Sequence, residues 1–424
     1  MKIGYTDFDE KQRSQTNALI LGSVGYGKSK AMEYMMRQDL AARQPFCLVD
    51  MHGTLYQEVK KWCAHNVYLD RRLFLVDPSE GRYVVPQDLF VKIEGVDVGV
   101  QTSSMVDSVM SAWGDDNPNL YPVMYKLLKV FFTIVVEKHI LLSDAFQLLG
   151  ARKKLTDVIH TLSDPNIHTI WADLSKLPQF EWSRQVTPTL NRLFRIVQSR
   201  AIQRFMCTGG SFPITFKDTI LVNLGTSGTL DRDAANMFAV LLINALYQHA
   251  KRRRRVGDKD PPPYFVYIDE WVIPTPDFSR ILAECRKFGL LLVLCNQDLS
   301  QIKTAFGQGF TDTLLTLCQM QMCFGGLNDH DASRLSREWG IDPVAIRMLG
   351  ERQCFLKLPR KAPERIDVPE IREPFVRPER LLAFEDKIAV QNKAMTVIQA
   401  DAKLRATPIN HIEEDETIDG WAVQ

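Results

Sequence analysis

The chain has 424 residues, 45% hydrophobic and 24% charged, which gives room for two or three domains and a large core. A net charge of +1 excludes bulk basicity as a source of nucleic-acid affinity, so any DNA contact has to come from a local basic surface such as a channel lining. Eight cysteines (Cys47, Cys63, Cys207, Cys285, Cys295, Cys318, Cys323 and Cys354) show no Cys-x-x-Cys spacing, which argues against a disulfide frame or a zinc site and for reduced thiols in a cytoplasmic protein. Met1–Gly4 lacks the apolar core of a signal peptide. Val130–Val136 is too short to span a bilayer and reads as part of a core helix.

In chain order, residues 1–16 form a polar lead-in. Ala18–Leu21 is a short apolar strand that breaks at Gly22, and Gly22-x-x-x-x-Gly27-Lys28-Ser29 matches the phosphate-binding loop in full. The spacing follows from the ligand. Backbone N–H groups of Gly22, Ser23, Val24, Gly25, Tyr26 and Gly27 must wrap a polyphosphate, so glycines stand where side chains would block the approach. The helix over 28–43 aims its positive end at the same phosphates, with Lys28 reaching the β- and γ-phosphates and Ser29 offering its hydroxyl to Mg²⁺. The expected ligand is ATP with Mg²⁺. A second strand, Phe46–Val49, closes on Asp50-Met51-His52-Gly53, with Thr54 placed to cap the helix Leu55–Ala64. A third, Leu73–Val76, closes on Asp77-Pro78. This alternation predicts an α/β, doubly wound, mainly parallel sheet with ligands at the C-terminal ends of its strands.

From 103 to 205 the pattern turns helical, with Leu127, Phe131, Ile134 and Val135, then Leu190, Leu193, Phe194 and Val197, at helical spacing. Asp115-Asp116-Asn117-Pro118 and Asp164-Pro165-Asn166 read as turns. The expected division is 1–102 and 206–358 as two parts of a nucleotide-binding domain, 103–205 as an inserted all-helical domain, and 359–424 as a tail. Strand character returns at Thr219–Leu224, before a helix over 234–251. The run Lys251-Arg252-Arg253-Arg254-Arg255 is either a solvated helix end, favoured by the macrodipole, or a DNA or partner contact.

Tyr264–Ile268 is an apolar strand ending in Asp269-Glu270. An aspartate at such a tip holds hydrated Mg²⁺ opposite a phosphate loop, and the adjacent glutamate polarises the attacking water. A helix over 278–288 carries Arg286-Lys287 and stops at Gly289. Leu290–Cys295 is another buried strand, and its tip, Asn296-Gln297, places an amide beside the acidic pair to sense the γ-phosphate.

These motifs, with Asp-x-x-Gly after the second strand, Ala-Glu-Cys-Arg-Lys-Phe-Gly-Leu and Leu-Cys-Asn-Gln-Asp-Leu-Ser-Gln, resemble the FtsK/HerA superfamily of P-loop ATPases over about residues 15–360. Within it the chain is most similar to the nucleotide-binding domain of conjugative coupling proteins of the TraD/TraG type in type IV secretion. The resemblance implies a RecA-like fold and a homohexamer that hydrolyses ATP and moves DNA through a central channel. It also implies that Arg286 reaches a neighbouring subunit's γ-phosphate and that Gln297 is the sensor. An arginine supplied in trans is permanently charged and ties hydrolysis to assembly. The sequence departs from the group at Met51-His52, where Pro-Lys is usual, and by having no transmembrane segment before its phosphate loop, so a separate membrane anchor or a free cytoplasmic motor is expected. Asp331 is placed to cap the helix that carries Arg334 and Leu335.

Prolines 359, 363, 369, 374 and 378 suggest an extended arm, 380–404 is periodic as a helix, and Glu413–Glu416 with Trp421 form an acidic end, either solubilising or a docking tail. Three functions fit: a DNA translocase of conjugation with a relaxase partner, a ring ATPase working with a nuclease in repair or antiphage defence, and a nucleotide-gated recruitment module. Which DNA strand form is handled is left open.

Overall fold

Apolar runs too short for helices, each followed by an amphipathic stretch, can bury both faces only as a parallel sheet between helical layers. The structure, a computed structural model, shows this arrangement and describes residues 2–3, 6–7, 9–66, 72–86, 89–113, 122–208, 214–255, 261–270 and 277–406. The first stretch comprises β1 (Lys2–Ile3), β2 (Thr6–Asp7), α1 (Glu10–Arg13), β3 (Ala18–Leu21), α2 (Lys28–Ala41), β4 (Phe46–Asp50), α3 (Thr54–His65), β5 (Leu73–Val76) and β6 (Tyr83–Val84). Helices follow: α4 (Val98–Ala112), α5 (Pro122–Lys138), α6 (Leu142–Gly150), α7 (Arg152–Ile159), α8 (Pro165–Leu174), α9 (Gln179–Gln198) and α10 (Arg200–Met206). The sheet resumes with β7 (Thr219–Asn223), α11 (Arg232–Arg255), β8 (Tyr264–Asp269), α12 (Asp277–Glu284), a 3-10 turn (Cys285–Phe288), β9 (Leu290–Asn296), α13 (Leu299–Phe306), α14 (Gln308–Leu317) and β10 (Met320–Phe324). The chain continues through α15 (Asp329–Trp339), α16 (Pro343–Arg347), β11 (Gln353–Lys357), β12 (Glu364–Asp367), α17 (Pro378–Gln391), β13 (Met395–Thr396) and α18 (Val397–Ala406).

Among the described residues the main sheet has nine strands in the order β12-β11-β10-β3-β9-β8-β4-β7-β5. The strands from β10 to β5 are parallel, and β11 and β12 are antiparallel additions at one edge. This is the α/β, RecA-like architecture expected from the sequence. Alternate residues of each strand enter two cores. Ile20, Phe46 and Leu48 pack with Met32, Met35 and Met36 of α2 and Tyr56 and Val59 of α3. Leu19, Leu21, Cys47 and Val49 face the other core, which runs without a break through α11 into α4–α10. Val130–Val136 lies buried inside α5, and no helix among the described residues is long and apolar enough to cross a membrane. All eight cysteines are free and buried.

Several local expectations are corrected. Thr54 does not cap α3. Gly53 takes that position at φ 83, and the Asp50 carboxylate, reaching forward, accepts the Tyr56 N–H at 2.7 Å, so the capping oxygen comes from the strand tip. Asp164 opens a helix rather than a turn: it N-caps α8, with Pro165 at the first helical position. Asn328, not Asp331, caps α15; Asp331 is buried and accepts the Leu299 N–H at 2.9 Å, tying α13 to α15. The proline-rich arm contains β12, which pairs with β11. Lys251–Arg255 ends α11, where Arg252 pairs with Glu94 and Arg253 stacks over Phe216 at 4.9 Å. The Asp115–Pro118 turn, residues 413–416 and Trp421 lie outside the described residues.

Arg13 anchors the lead-in. Its guanidinium, buried with Asp39 of α2, bonds both carboxylate oxygens and the Tyr267 hydroxyl of β8, and lies 3.7 Å over the Phe265 ring. Asp39→Ala leaves this cation buried without its carboxylate. The expected cost is about 3–5 kcal/mol, read as a lower urea midpoint, and an unchanged midpoint would show that the network contributes nothing.

Candidate nucleotide-binding site

The site is built from the C-terminal tips of four adjacent strands, β3, β9, β8 and β4. The chain leaves β3 into a loop that only glycine permits at key points. Gly22, Gly25 and Gly27 have φ of 149°, 87° and 101°, and a Cβ on Gly22 would lie 2.5 Å from Phe324 Cβ. The loop leans on the turn after β10: Ser23 N donates to the Gly325 carbonyl at 3.0 Å and Ser23 Oγ to that of Gly326 at 2.5 Å. Tyr26 packs over this turn, and a Cβ on Gly326 would sit 2.5 Å from its ring. Val24 and Gly25 form the exposed tip, and the loop feeds directly into the N-terminus of α2.

Lys28 is buried and donates from Nζ to the Ser23 carbonyl at 3.0 Å, so the ammonium is already curled into the loop. Ser29 Oγ lies 3.4 Å from Asp269 Oδ2, across the sheet. Asp269 is buried and its Oδ1 accepts no hydrogen bond. Burial first, then the charge of Asp50 on the paired strand, pushes its carboxyl up to about 6. A buried carboxylate with one oxygen unsatisfied and the other facing a serine hydroxyl offers the oxygen ligands of a hydrated Mg²⁺, so these residues fit that ion.

Glu270 follows at φ 53, a left-handed conformation that a non-glycine residue adopts only under constraint. Its two oxygens are taken from opposite sides. His52 Nε2 lies 2.5 Å from Oε2, and Gln297 Nε2 donates to Oε1 at 2.7 Å. The contact with His52, more than that with Gln297, holds the Glu270 carboxyl below its ordinary range, and the same contact raises the His52 imidazole. His52 is itself positioned by Asp50, whose Oδ1 accepts the His52 N–H at 2.9 Å. His52 is the residue whose role the sequence left open. The signal was available in its place at a strand tip, but the register that sets it beside Glu270 (Asp50 opposite Asp269) was not.

The structure therefore brings together Gly22–Ser29, Asp269, Glu270 and Gln297. It does not bring Arg286 to them. Arg286 is exposed in the 3-10 turn before β9, at the opposite end of that strand from Gln297, about 20 Å away at the usual rise per residue. There it lines a cleft with Gln12, Gln15, Lys357 and Arg360.

Residues 263–352 match the family described as the TraM recognition site of TraD and TraG; they include β8, β9 and β10, and with them Asp269, Glu270, Arg286 and Gln297. No curated protein matches the chain. Among solved structures it is similar to the bacterial conjugative coupling protein TrwBdeltaN70 in an unbound form, at 12% identity over 89% of this chain and 90% of that one, TM-score 0.62. It is similar to the plasmid coupling protein TrwB in complex with ADP and Mg²⁺, at 12% identity over 90% and 91%, TM-score 0.62. VirB4 of Thermoanaerobacter pseudethanolicus is also similar, at 11% identity over 84% and 89%, TM-score 0.56. The chain thus has the fold of these proteins, and the resemblance to TraD/TraG-type coupling proteins read from its motifs is met by both kinds of match.

The His52–Glu270 contact sets a pH window. As an ion pair it stands while Glu270 is ionised and His52 protonated; its charge is lost as pH rises through the raised His52 value, leaving a hydrogen bond from the neutral Nε2–H tautomer, or as pH falls through the lowered Glu270 value. In the nucleotide-free protein, NMR titration of the His52 ring is expected to give a midpoint above 6.5 that returns towards 6.5 in Glu270→Gln; the same midpoint in both proteins would rule the contact out.

Proposed function

We propose that the chain is an ATP-hydrolysing motor of the conjugative coupling type, which moves DNA as a ring of identical subunits. The observation that carries this is the cluster at the strand tips: Ser29 Oγ within 3.4 Å of Asp269, with Glu270 held 2.7 Å from Gln297 beside it. In the reading offered here, loop N–H groups and the α2 N-terminus bind the phosphates of ATP, and Lys28 exchanges the Ser23 carbonyl for phosphate oxygens. Ser29 and Asp269 would hold Mg²⁺, which when bound neutralises charge on the β- and γ-phosphates. Glu270 accepts a hydrogen bond from the attacking water. His52 and Gln297 fix its carboxylate, and each oxygen retains a second lone-pair site for that water. The similar TrwB structures hold ADP with Mg²⁺ and analogues of GTP and ATP, which supports a nucleotide at this site.

The position of Arg286 supports a ring. A finger at one end of the strands serves a phosphate at the other end only by coming from a second copy. A DNA track, a relaxase or membrane-anchor partner and a cytoplasmic location belong to the same reading. They rest on the likeness to coupling proteins, since overall charge is near neutral.

The test is steady-state ATP hydrolysis without nucleic acid, with single-stranded DNA and with double-stranded DNA, at two salt concentrations. Salt-sensitive stimulation by one DNA form is expected. A rate indifferent to both forms, in protein that binds ATP, would favour a nucleotide-gated recruitment module instead. Lys28→Ala should lose ATP binding. Glu270→Gln should bind ATP and turn it over about 10²–10⁴-fold more slowly.

Arg286→Ala should retain ATP binding while hydrolysis falls about 10³–10⁵-fold. Titrated into wild-type protein it should depress activity more steeply than dilution, and a strictly proportional decline would mean that no arginine acts between subunits.

A further inference from the structure

The reactive end of the phosphate loop is fixed by the residues around it. Ser29 faces Asp269 on β8, and Glu270 and Gln297 lie at the tips of β8 and β9, on one side of β3. A polyphosphate laid along Gly22–Ser29 with its terminal phosphate at that cluster must send its nucleoside the other way, towards β10 and β11. What waits there is Arg352. Its backbone bridges two elements: its N–H donates to the Tyr26 carbonyl at 3.0 Å, and its carbonyl accepts the Val368 N–H at 2.8 Å. Its φ of 61° shows a turn held in a left-handed conformation. A Cβ on Gly27 would lie 3.3 Å from Arg352 Cγ, so the side chain starts against the last glycine of the loop. The guanidinium is half-exposed and leans on Glu370, 3.5 Å away, in the segment that follows β12. That segment then runs along α2, with Glu373 3.3 Å from Lys30 and the Arg372 carbonyl 3.0 Å from Arg37.

We propose that Arg352 is the nucleoside-binding residue of this site, its planar guanidinium stacking on the base and Glu370 presetting its direction. A planar cation suits this place because it attracts the face of any purine without reading its edge. The base is then sandwiched between the phosphate loop and the C-terminal segment, and occupancy of the site is felt at residues 368–373. The proposal rests on the reading of Gly22–Ser29 as the nucleotide site and adds which part of the chain holds the other half of the nucleotide.

The experiment compares calorimetric binding of ATP and of inorganic tripolyphosphate, both with Mg²⁺, to wild type, Arg352→Ala, Arg352→Lys and Glu370→Gln. Wild type should bind both. Arg352→Ala should weaken ATP about tenfold, ~1.4 kcal/mol, and leave tripolyphosphate unchanged. Arg352→Lys should lose as much, because the charge stays and the planar surface goes. Glu370→Gln, at an exposed position that does not threaten folding, should weaken ATP less and tripolyphosphate not at all. Equal loss of both ligands in Arg352→Ala, with no selective loss in Glu370→Gln, would overturn the proposal in favour of a role in shaping the loop. Unchanged ATP binding in all three variants would overturn it outright. Failure of wild type to bind either ligand would instead sink the nucleotide site, and the proposal with it.

Discussion

Two carboxylates at paired positions of adjacent buried strands set the terms for the site. Asp50 and Asp269 stand opposite each other in register at the tips of β4 and β8, both almost wholly buried. Two such charges cannot both be stable without compensation. Asp50 finds it in backbone: the N–H groups of His52 and Tyr56 converge on its two oxygens, and the N-terminus of α3 points at it. This arrangement requires the tight turn through Gly53, where a Cβ would meet the Asn223 side chain at 2.6 Å. Asp269 receives no such pair of donors, retains an orphaned oxygen and is pushed up to about 6. The asymmetry leaves one carboxylate as structure and the other in want of a cation.

The same turn that satisfies Asp50 throws His52 towards Glu270. The Glu270 carboxylate is thus clamped from β4 on one side and β9 on the other, and the clamp exists only because β8 lies between them. A parallel sheet also separates its two ends by the full strand length. The phosphate-loop motif, Asp269, Glu270 and Gln297 collect at the C-terminal tips, whereas Arg286 lies in the 3-10 turn before β9, at the other end. Sheet polarity alone therefore keeps Arg286 from the tip cluster of its own chain.

Much of this was legible in the sequence because strand ends are punctuated. Ala18–Leu21 and Leu73–Val76 were bounded correctly by Gly22 and by Asp77-Pro78, and the acidic and amide tips of β8 and β9 followed from apolar runs meeting polar pairs. Apart from Asp164, whose capping of α8 is local, what failed depends on a partner distant in sequence. Thr54 resembles a cap locally, but a carboxylate anchored in the preceding strand reaches Tyr56 N–H first. Asp331 resembles a cap until α13 arrives to use it. Residues 364–367 look like a proline-flanked arm because an edge strand needs little apolar content; only pairing with β11 defines β12. His52 belongs to this class too, since its function is conferred by the register of β4 against β8.

The C-terminal part of the chain carries that dependence furthest. From β12 at one edge of the sheet it crosses over α2 to reach the opposite edge. There Lys60 of α3 meets Glu385 at 2.6 Å, Asn392 donates to the Leu73 carbonyl of β5 at 2.7 Å, and α18 joins α10 through Arg204 and Asp401 at 2.9 Å. The two ends of this strap are held firmly, one by a β-ladder and Val368 in the core, the other by a largely buried ion pair. Its middle meets α2 through the hydrogen bond from Arg37 to the Arg372 carbonyl and the exposed Lys30–Glu373 pair, a kind of pair that contributes about 0–1 kcal/mol, and Val376 packs on the core. The strap is thus built into the sheet at one end and joined to α3 and β5 at the other, with polar contacts to the phosphate-loop helix between them. The apolar face behind the sheet is instead one close-packed core, continuous from α11 into the helical region.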